Sequence, residues 1–452
     1  MNEYEWDLVV VGGGSGGVRA ARMAASYGAR VAIVEDRYWG GTCVNVGCVP
    51  KKLYYYASHF REAFEAAPGF GWTLDAPRFE WETLKANRRR EISRLNGIYR
   101  DLLAKSGCEV IDGHGRLIDP HTVEVAGQPA LRTRHILLAT GAWPFVPEFP
   151  GREWVVTSNE IFDLPTLPGV LLVVGGGYIA VEFAGIFNGL GVDTHLVYRG
   201  DKLLRHFDDS VREVVTEEIA GKGVNLHLNT DIQRIDRTAA GRLQVTFVGG
   251  GQLTADVVLC ATGRVPNFHN LGLENVDVAL NPRGVVAVDG LYATSEPSIF
   301  AVGDIIHTHE LTPVALAEGM VVARHLFGGG AEPLDYQFVP TAVFSQPSIA
   351  SVGYTEQQAR AKHGAIRIFE SRFRDLKNTL GGSRSRTYMK VIVDADSDRV
   401  VGMHMVGDEA GEIIQGMAVA MRAGLTKAVL DGTIGIHPTA AEEFVTMRQP
   451  VR

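Results

Sequence analysis

Two cysteines in the run Gly41-Thr42-Cys43-Val44-Asn45-Val46-Gly47-Cys48 are the residues of this 452-residue chain whose type and spacing most directly suggest chemistry. A thiol pair this close can form and open a disulfide, or supply half of a metal site. Val49-Pro50 and a helical run from Lys51 to Glu62 follow, which puts the pair at a helix start. Proline fits an early helical position because its missing N–H is not needed there. A helix N-terminus also favours a thiolate. Structural zinc sites normally use closer pairs and two further ligands at similar spacing. Cys108 and Cys260 are isolated from other cysteines and histidines, so redox use of Cys43 and Cys48 is favoured. The other two are read as small packing residues. His437 is a candidate acid–base group, with Glu442 five residues on. A carboxylate bonded to one ring nitrogen fixes the tautomer and raises the basicity of the other.

Thiols need an electron source, and two repeated elements could position one. Trp6 to Val11 reads as a buried parallel strand, followed by Gly12-Gly13-Gly14-Ser15-Gly16-Gly17, a helical stretch Val18 to Tyr27, and a second strand Arg30 to Val34 ending at Glu35. Gly12 suits a tight turn, Gly14 lets a pyrophosphate approach the backbone, and Gly17 allows close helix packing. Glu35 stands where a carboxylate accepts ribose hydroxyls. The pattern recurs at Val170 to Val174, then Gly175-Gly176-Gly177-Tyr178-Ile179-Ala180, a helix to about Leu190 and a strand Asp193 to Tyr198. Here the strand ends in Tyr198-Arg199 without an acid, and Arg205 follows six residues later. Guanidinium groups grip a 2′-phosphate, so NADP rather than NAD is expected. One acid-type and one arginine-type site make FAD with NADPH the economical pairing.

Composition sets the frame. The length suggests about three domains. The 46% hydrophobic and 21% charged residues are ordinary for a globular protein, and the 52 glycines cluster in short runs after apolar stretches. A net charge of −8 gives no bulk attraction to nucleic acid. The triplet Arg88-Arg89-Arg90 is read as a solvated helix face. No apolar run is long enough to span a bilayer, and the acidic start Met1-Asn2-Glu3-Tyr4-Glu5 does not read as a signal peptide. Four cysteines do not make a secreted disulfide scaffold, so a cytoplasmic setting is expected.

Together these motifs resemble the class I pyridine nucleotide-disulfide oxidoreductases, and among them the branch of glutathione reductases. The resemblance covers essentially the whole chain. It rests on residues 40–52, on Ala139-Thr140-Gly141, Ala261-Thr262-Gly263-Arg264 and Ile299-Phe300-Ala301-Val302-Gly303-Asp304, and on Leu311-Thr312-Pro313 and His437-Pro438-Thr439-Ala440-Ala441-Glu442-Glu443. It implies that Asp304 binds FAD near its ribityl and pyrophosphate and that Thr312 sits by the isoalloxazine. Lys51 is implied to reach the flavin N5 region, paired with Glu182, and Tyr178 to cover the flavin until NADPH displaces it. Thr42 and Thr140 are counted with the FAD contacts, and Ile179, Glu182 and Gly263 with the cofactor contacts too. His437 is implied to come from the neighbouring subunit of a homodimer. In the implied cycle electrons pass from NADPH through FAD to the Cys43–Cys48 disulfide. Cys48 faces the flavin, Cys43 attacks the substrate disulfide, and His437 protonates the departing thiol.

Glutathione disulfide carries more carboxylates than amines, so cations should line its site. Ser15, Arg22 and Tyr99 match positions that bind the peptide in the resembled branch, and Arg19 falls where trypanothione reductases carry an acid. Met320 stands where many glutathione reductases have a second arginine, and Glu91 where some have a tyrosine; Arg19 is a candidate to compensate. The expected fold is α/β, with an FAD domain (1–140, resumed at 265–334) around an NADPH domain (141–264), then an α+β interface domain (335–452) with antiparallel strands Thr387 to Asp394 and Val400 to Val406 and helices near Glu412 to Gly424 and Thr439 to Met447. Mycothione, trypanothione and lipoamide reductases are the alternatives within the family. The lipoamide type should carry an acid near Tyr198, whereas mercuric and large thioredoxin reductases need a C-terminal cysteine pair that is absent here. A redox-inactive flavoprotein module predicts loss of Cys43, Cys48 or His437, and all three are present.

Overall fold

Runs that are apolar on both faces become interior parallel strands, because helices must cover each side of the sheet. Trp6–Val11, Val170–Val174 and Asp193–Tyr198 are strands over the expected residues. The computed structural model describes residues 4–452. It divides into two compact units. One takes in the chain up to Lys51 with Thr83–Phe145 and Arg264–Asp335; the other takes in Lys52–Glu82, Val146–Gly263 and Tyr336–Arg452.

In the first unit the parallel order is Glu109–Asp112, Val31–Glu35, Trp6–Val11, Leu131–Leu138 and Ile299–Ala301. Thr122–Val125 and Gly115–Asp119 extend the sheet antiparallel from Leu131–Leu138. Helix Ser15–Ser26 packs on helix Thr312–Phe327 so closely that a side chain at Gly319 would come within 2.6 Å of the Gly16 carbonyl oxygen.

The second unit holds a parallel sheet ordered Asn225–Leu228, Asp193–Tyr198, Val170–Val174, Val257–Cys260. It also holds a meander of Ile232–Arg237, Leu243–Phe247 and Gln252–Ala255. A five-stranded antiparallel sheet follows, ordered Thr341–Val343, Ile349–Gly353, Val400–Val406, Thr387–Asp394, Ile366–Phe373, with helix Ala410–Arg422 packed on it. Thr387–Asp394 and Val400–Val406 are buried along their whole length. Lys390, on the first of them, is an interior cation whose Nζ lies 2.8 Å from both Asp208 and Glu356.

Three expectations need correction. Arg89 and Arg90 are exposed, but Arg88 is buried. It shares a helical stripe with the buried Trp81, Lys85 and Ile92 on helix Trp81–Lys105, so the spacing of that face overrides the polarity of the triplet. The helix after the cysteine pair starts at Cys48 itself and runs to Ala66. The stretch Thr439 to Met447 is a 3₁₀ turn, Ala440–Glu442, and a single helical turn, Glu443–Thr446. Among the described residues no helix is long and apolar enough to cross a membrane.

Candidate active site

Two turns built on one plan position the predicted cofactor residues. Gly12 has φ 114°, and a side chain there would lie 2.3 Å from the Ala139 carbonyl oxygen; Gly175 has φ 133° and stands 2.3 Å, by the same measure, from that of Ala261. Each first glycine thus abuts the alanine of an Ala-Thr-Gly run, which gives the twice-repeated tripeptide a steric reason. Helices Ser15–Ser26 and Tyr178–Gly189 follow with Gly14 and Gly177 at their N-caps, no capping side chain and no acid in the first turn. Uncapped N–H groups and the helix dipole suit a pyrophosphate at each. Glu35 accepts backbone N–H groups from Gly13 at 2.6 Å, Arg37 at 2.9 Å and Tyr38 at 3.2 Å. Burial nonetheless raises its pKa, and these bonds oppose the shift. Asp304 is pushed up to about 6 by burial, with Arg264 opposing. A buried carboxyl in this state is well suited to accept ligand hydroxyls, so the residues present fit FAD. At the second turn Arg199 and Arg205 are exposed, and among the described residues neither is ion-paired to a carboxylate. That leaves two cations for a 2′-phosphate, so the residues fit NADPH.

The thiols meet in the first unit. Cys43 lies in the short helix Gly41–Asn45, and Cys48 opens helix Cys48–Ala66. They are unbridged, and Cys48 and Thr312 both act on the Cys43 thiol. Cys48 Sγ lies 3.7 Å from Thr312 Oγ1. Interaction with Cys48 and burial drive the Cys43 pKa strongly up, although Lys51 pulls it down. A neighbouring thiolate thus suppresses ionisation of Cys43, while Cys48 is the thiol that stands at the start of the long helix. Tyr99, half-buried, feels both thiols and Arg19, and burial raises its pKa. The structure thus brings Cys43, Cys48, Lys51, Thr312, Tyr99 and Arg19 together.

Other predicted residues sit differently. Thr42 is exposed beside Cys43, and Thr140 Oγ1 donates to the Asn267 carbonyl at 2.8 Å. Ser15 is half-buried at the first helical position. Arg22 Nε donates to Ser106 Oγ at 3.2 Å. Met320 is exposed on its helix, and Glu91 forms an ion pair with Arg94 at 2.6 Å. In the second unit Tyr178 is exposed, Ile179 half-buried and Gly263 exposed. Glu182 is buried and accepts the Phe344 N–H at 2.8 Å. His437 Nδ1 lies 3.0 and 3.1 Å from the two oxygens of Glu442, and the ring is 80% exposed. Its Nε2 is thus left for other chemistry. Among the described residues no three His, Cys, Asp or Glu side chains gather as a metal-ligand set.

Two positioning residues escaped the sequence reading. Buried Asn45 donates to the carbonyls of Trp39 (3.1 Å) and Gly41 (2.9 Å) and accepts from Asn96 (2.9 Å), fixing the loop between the thiols. Glu318, fully buried, accepts the Gly303 N–H and the Thr308 hydroxyl, each at 2.7 Å, and so holds the turn that carries Asp304.

Residues 6–319 match the family described as pyridine nucleotide-disulphide oxidoreductase, and residues 339–448 match its dimerisation domain. The chain belongs to that family. It is therefore an oxidoreductase of the fold expected, with dinucleotide-binding α/β parts and a C-terminal dimerisation domain. Its relatives include a glutathione reductase of Burkholderia cepacia, 47% identical over 448 residues and 99% of each chain. A chloroplastic/mitochondrial glutathione reductase of Pisum sativum is 46% identical, over all of this chain and 83% of its own. A glutathione reductase of Nostoc sp. is 44% identical, over 98% of this chain and all of its own. The family relationship makes a flavin and a pyridine nucleotide the cofactors to test against the two turns.

Proposed function

We propose that the chain reduces glutathione disulfide to two glutathione molecules with electrons from NADPH, working through FAD and the pair Cys43 and Cys48. The observation that carries this reading is the unbridged, electrostatically coupled thiol pair, with Cys48 opening helix Cys48–Ala66 beside Thr312 and Cys43 in the field of Lys51. The name shared by the three relatives supports glutathione disulfide as the disulfide.

FAD, when bound, supplies the electron relay from NADPH to the thiols. Gly12, Gly14, Ser15, Gly17, Glu35, Thr42, Thr140, Asp304, Thr312 and Lys51 are assigned to FAD. Gly175, Gly177, Tyr178, Ile179, Glu182, Gly263, Arg199 and Arg205 are assigned to NADPH, with the two arginines on its 2′-phosphate. Cys48 keeps the one negative charge that the pair carries easily. Cys43, whose own ionisation is suppressed, needs a base. His437 of a second copy takes that proton, with Glu442 holding its Nδ1. The Cys43 thiolate then attacks one substrate sulfur, forming a mixed disulfide, and the first glutathione leaves with the proton from His437. Cys48 thiolate displaces the second glutathione from Cys43 and closes the disulfide. Ser15, Arg19, Arg22 and Tyr99 are assigned to the substrate peptide; Tyr99, with its raised pKa, remains a hydroxyl donor at neutral pH. A homodimer is supported by the dimerisation-domain match and by the exposed Ile434 and Ile436 just before His437. The proposed division is FAD residues 1–140 and 265–334, NADPH residues 141–264 and interface residues 335–452. A reducing compartment, the cytoplasm, is the proposed setting, supported by the count of four cysteines.

The test is steady-state oxidation of NADPH and NADH with glutathione disulfide or lipoamide as acceptor. Turnover with NADPH and glutathione disulfide, and little with the other combinations, is expected. Turnover confined to another disulfide would refute the substrate while leaving the reductase.

A further inference from the structure

Arg199 and Arg205 are not held alike. Arg199 directly follows strand Asp193–Tyr198 and takes its position from the sheet. Arg205 lies in the irregular segment between that strand and helix Asp209–Gly221, where a long side chain is aimed only as well as its backbone is fixed. Three ties fix it. Leu204, buried, adopts φ 55°, a left-handed conformation unusual for a leucine, and its N–H donates to the Gly176 carbonyl at 2.7 Å, in the second glycine turn. Thr216 Oγ1 accepts the Leu203 N–H at 3.1 Å. Arg212, from the helix's first turn, donates Nε–H to the Leu203 carbonyl at 3.1 Å and an Nη2–H to the Lys202 carbonyl at 3.2 Å, while its Nη1 bonds Asp209 at 3.0 Å. The guanidinium is mostly buried and planar, so it grips two successive carbonyls as one rigid fork. Without it those carbonyls lose their charge-assisted donors and the strained Leu204 has less to hold it in place.

We propose that Arg212 is a positioning residue for coenzyme selection: it clamps the Lys202 and Leu203 carbonyls, so that Arg205 stays in register with the second glycine turn and with Arg199. Arg212 itself touches no coenzyme in this account. The inference rests on the reading of Arg199 and Arg205 as the 2′-phosphate site. It adds that coenzyme preference depends on a residue packed beneath the loop, with Thr216 and the left-handed Leu204 in support.

The test uses the flavin-loaded enzyme with ferricyanide as acceptor, which keeps the thiols and the disulfide substrate out of the measurement. Arg212→Leu is expected to raise KM for NADPH about tenfold, the loss typical of one charge-assisted contact. KM for NADH and kcat at saturating NADPH should change little. Thr216→Val should shift the NADPH/NADH preference in the same direction by less. Arg205→Gln should lower that preference, and adding Arg212→Leu to it should cost almost nothing more, since the two act on one contact. An Arg212→Leu enzyme that loses NADPH and NADH equally, or neither, while Arg205→Gln still selects against NADPH, overturns the positioning role and leaves the 2′-phosphate site standing. Loss of both coenzymes alike in Arg205→Gln removes that site, and the present inference falls with it. If Arg212→Leu does not yield folded protein, Thr216→Val and Arg212→Lys decide by the same ratio: an unchanged preference in both overturns the proposal.

Discussion

Asp304 offers a perturbation whose sign can be worked out for the flavin-free and flavin-loaded protein separately. Its carboxyl is raised from 3.8 to about 6, chiefly by burial, so at pH 7.5 the folded flavin-free chain carries a charge it disfavours. Roughly two pKa units at about 1.4 kcal/mol each put that penalty at about 3 kcal/mol. Asp304→Asn keeps the shape and removes the charge, so the flavin-free variant should be about 2–3 kcal/mol more stable at pH 7.5. The pH dependence follows from the direction of the shift. The folded carboxyl holds its proton more tightly than the unfolded one, so the penalty is full above pH about 6, shrinks as pH falls and is gone below about 4. The advantage of the variant should close over that window. Urea unfolding of flavin-free protein at pH 7.5, 6 and 4.5 reads it directly. With FAD the sign reverses, because the ionised carboxylate is the proposed acceptor for the ligand, and Asp304→Asn should bind FAD about tenfold or more weakly. Equal stability of the two flavin-free proteins at pH 7.5, or a gap that does not narrow on acidification, would refute the reasoning.

Lys390→Met leaves buried Asp208 without its cation, while Glu356 keeps Arg360 and Arg452; a loss of about 3–5 kcal/mol in urea unfolding is expected, with part recovered by adding Asp208→Asn. If Lys390→Met proves neutral, the network contributes nothing to stability. Asn45→Ala removes both donors to the Trp39 and Gly41 carbonyls, at an expected cost of about 1–3 kcal/mol and with slower exchange of Cys43 with glutathione disulfide. Unchanged exchange would show that Asn45 does not hold the thiol loop. His437→Gln keeps a ring-sized polar group but no base, and disulfide reduction should fall by about a hundredfold or more while ferricyanide reduction stays. Equal loss of both would place His437 outside the thiol step.

The interior strands were legible because burial on both faces writes them as continuous apolar runs: Trp6–Val11, Val170–Val174, Thr387–Asp394 and Val400–Val406 have the ends expected of them. The glycine turns were legible because few other residues tolerate their backbone and close contacts. Arg88 differs from the rest of its charged run because side chains on a helix sort by face and not by adjacency; the spacing of Trp81, Lys85, Arg88 and Ile92 is the signal for it. Glu318 inside an apolar helix and Lys390 inside an apolar strand were signals of another kind, since a charge there needs a buried partner. Asn45 lay within the thiol run itself, in a place where its amide could only be assigned once the loop's carbonyls were located. The loop before helix Asp209–Gly221 has no periodicity, and only the fold shows Arg212 beneath it.

The central claim is that Cys43 and Cys48 work in series, with Cys43 meeting the disulfide substrate. The most direct measurement compares Cys43→Ser with the parent enzyme, following NADPH oxidation with glutathione disulfide and with ferricyanide. The account predicts that glutathione disulfide reduction disappears while flavin content and ferricyanide reduction persist. Undiminished glutathione disulfide turnover in Cys43→Ser would contradict it.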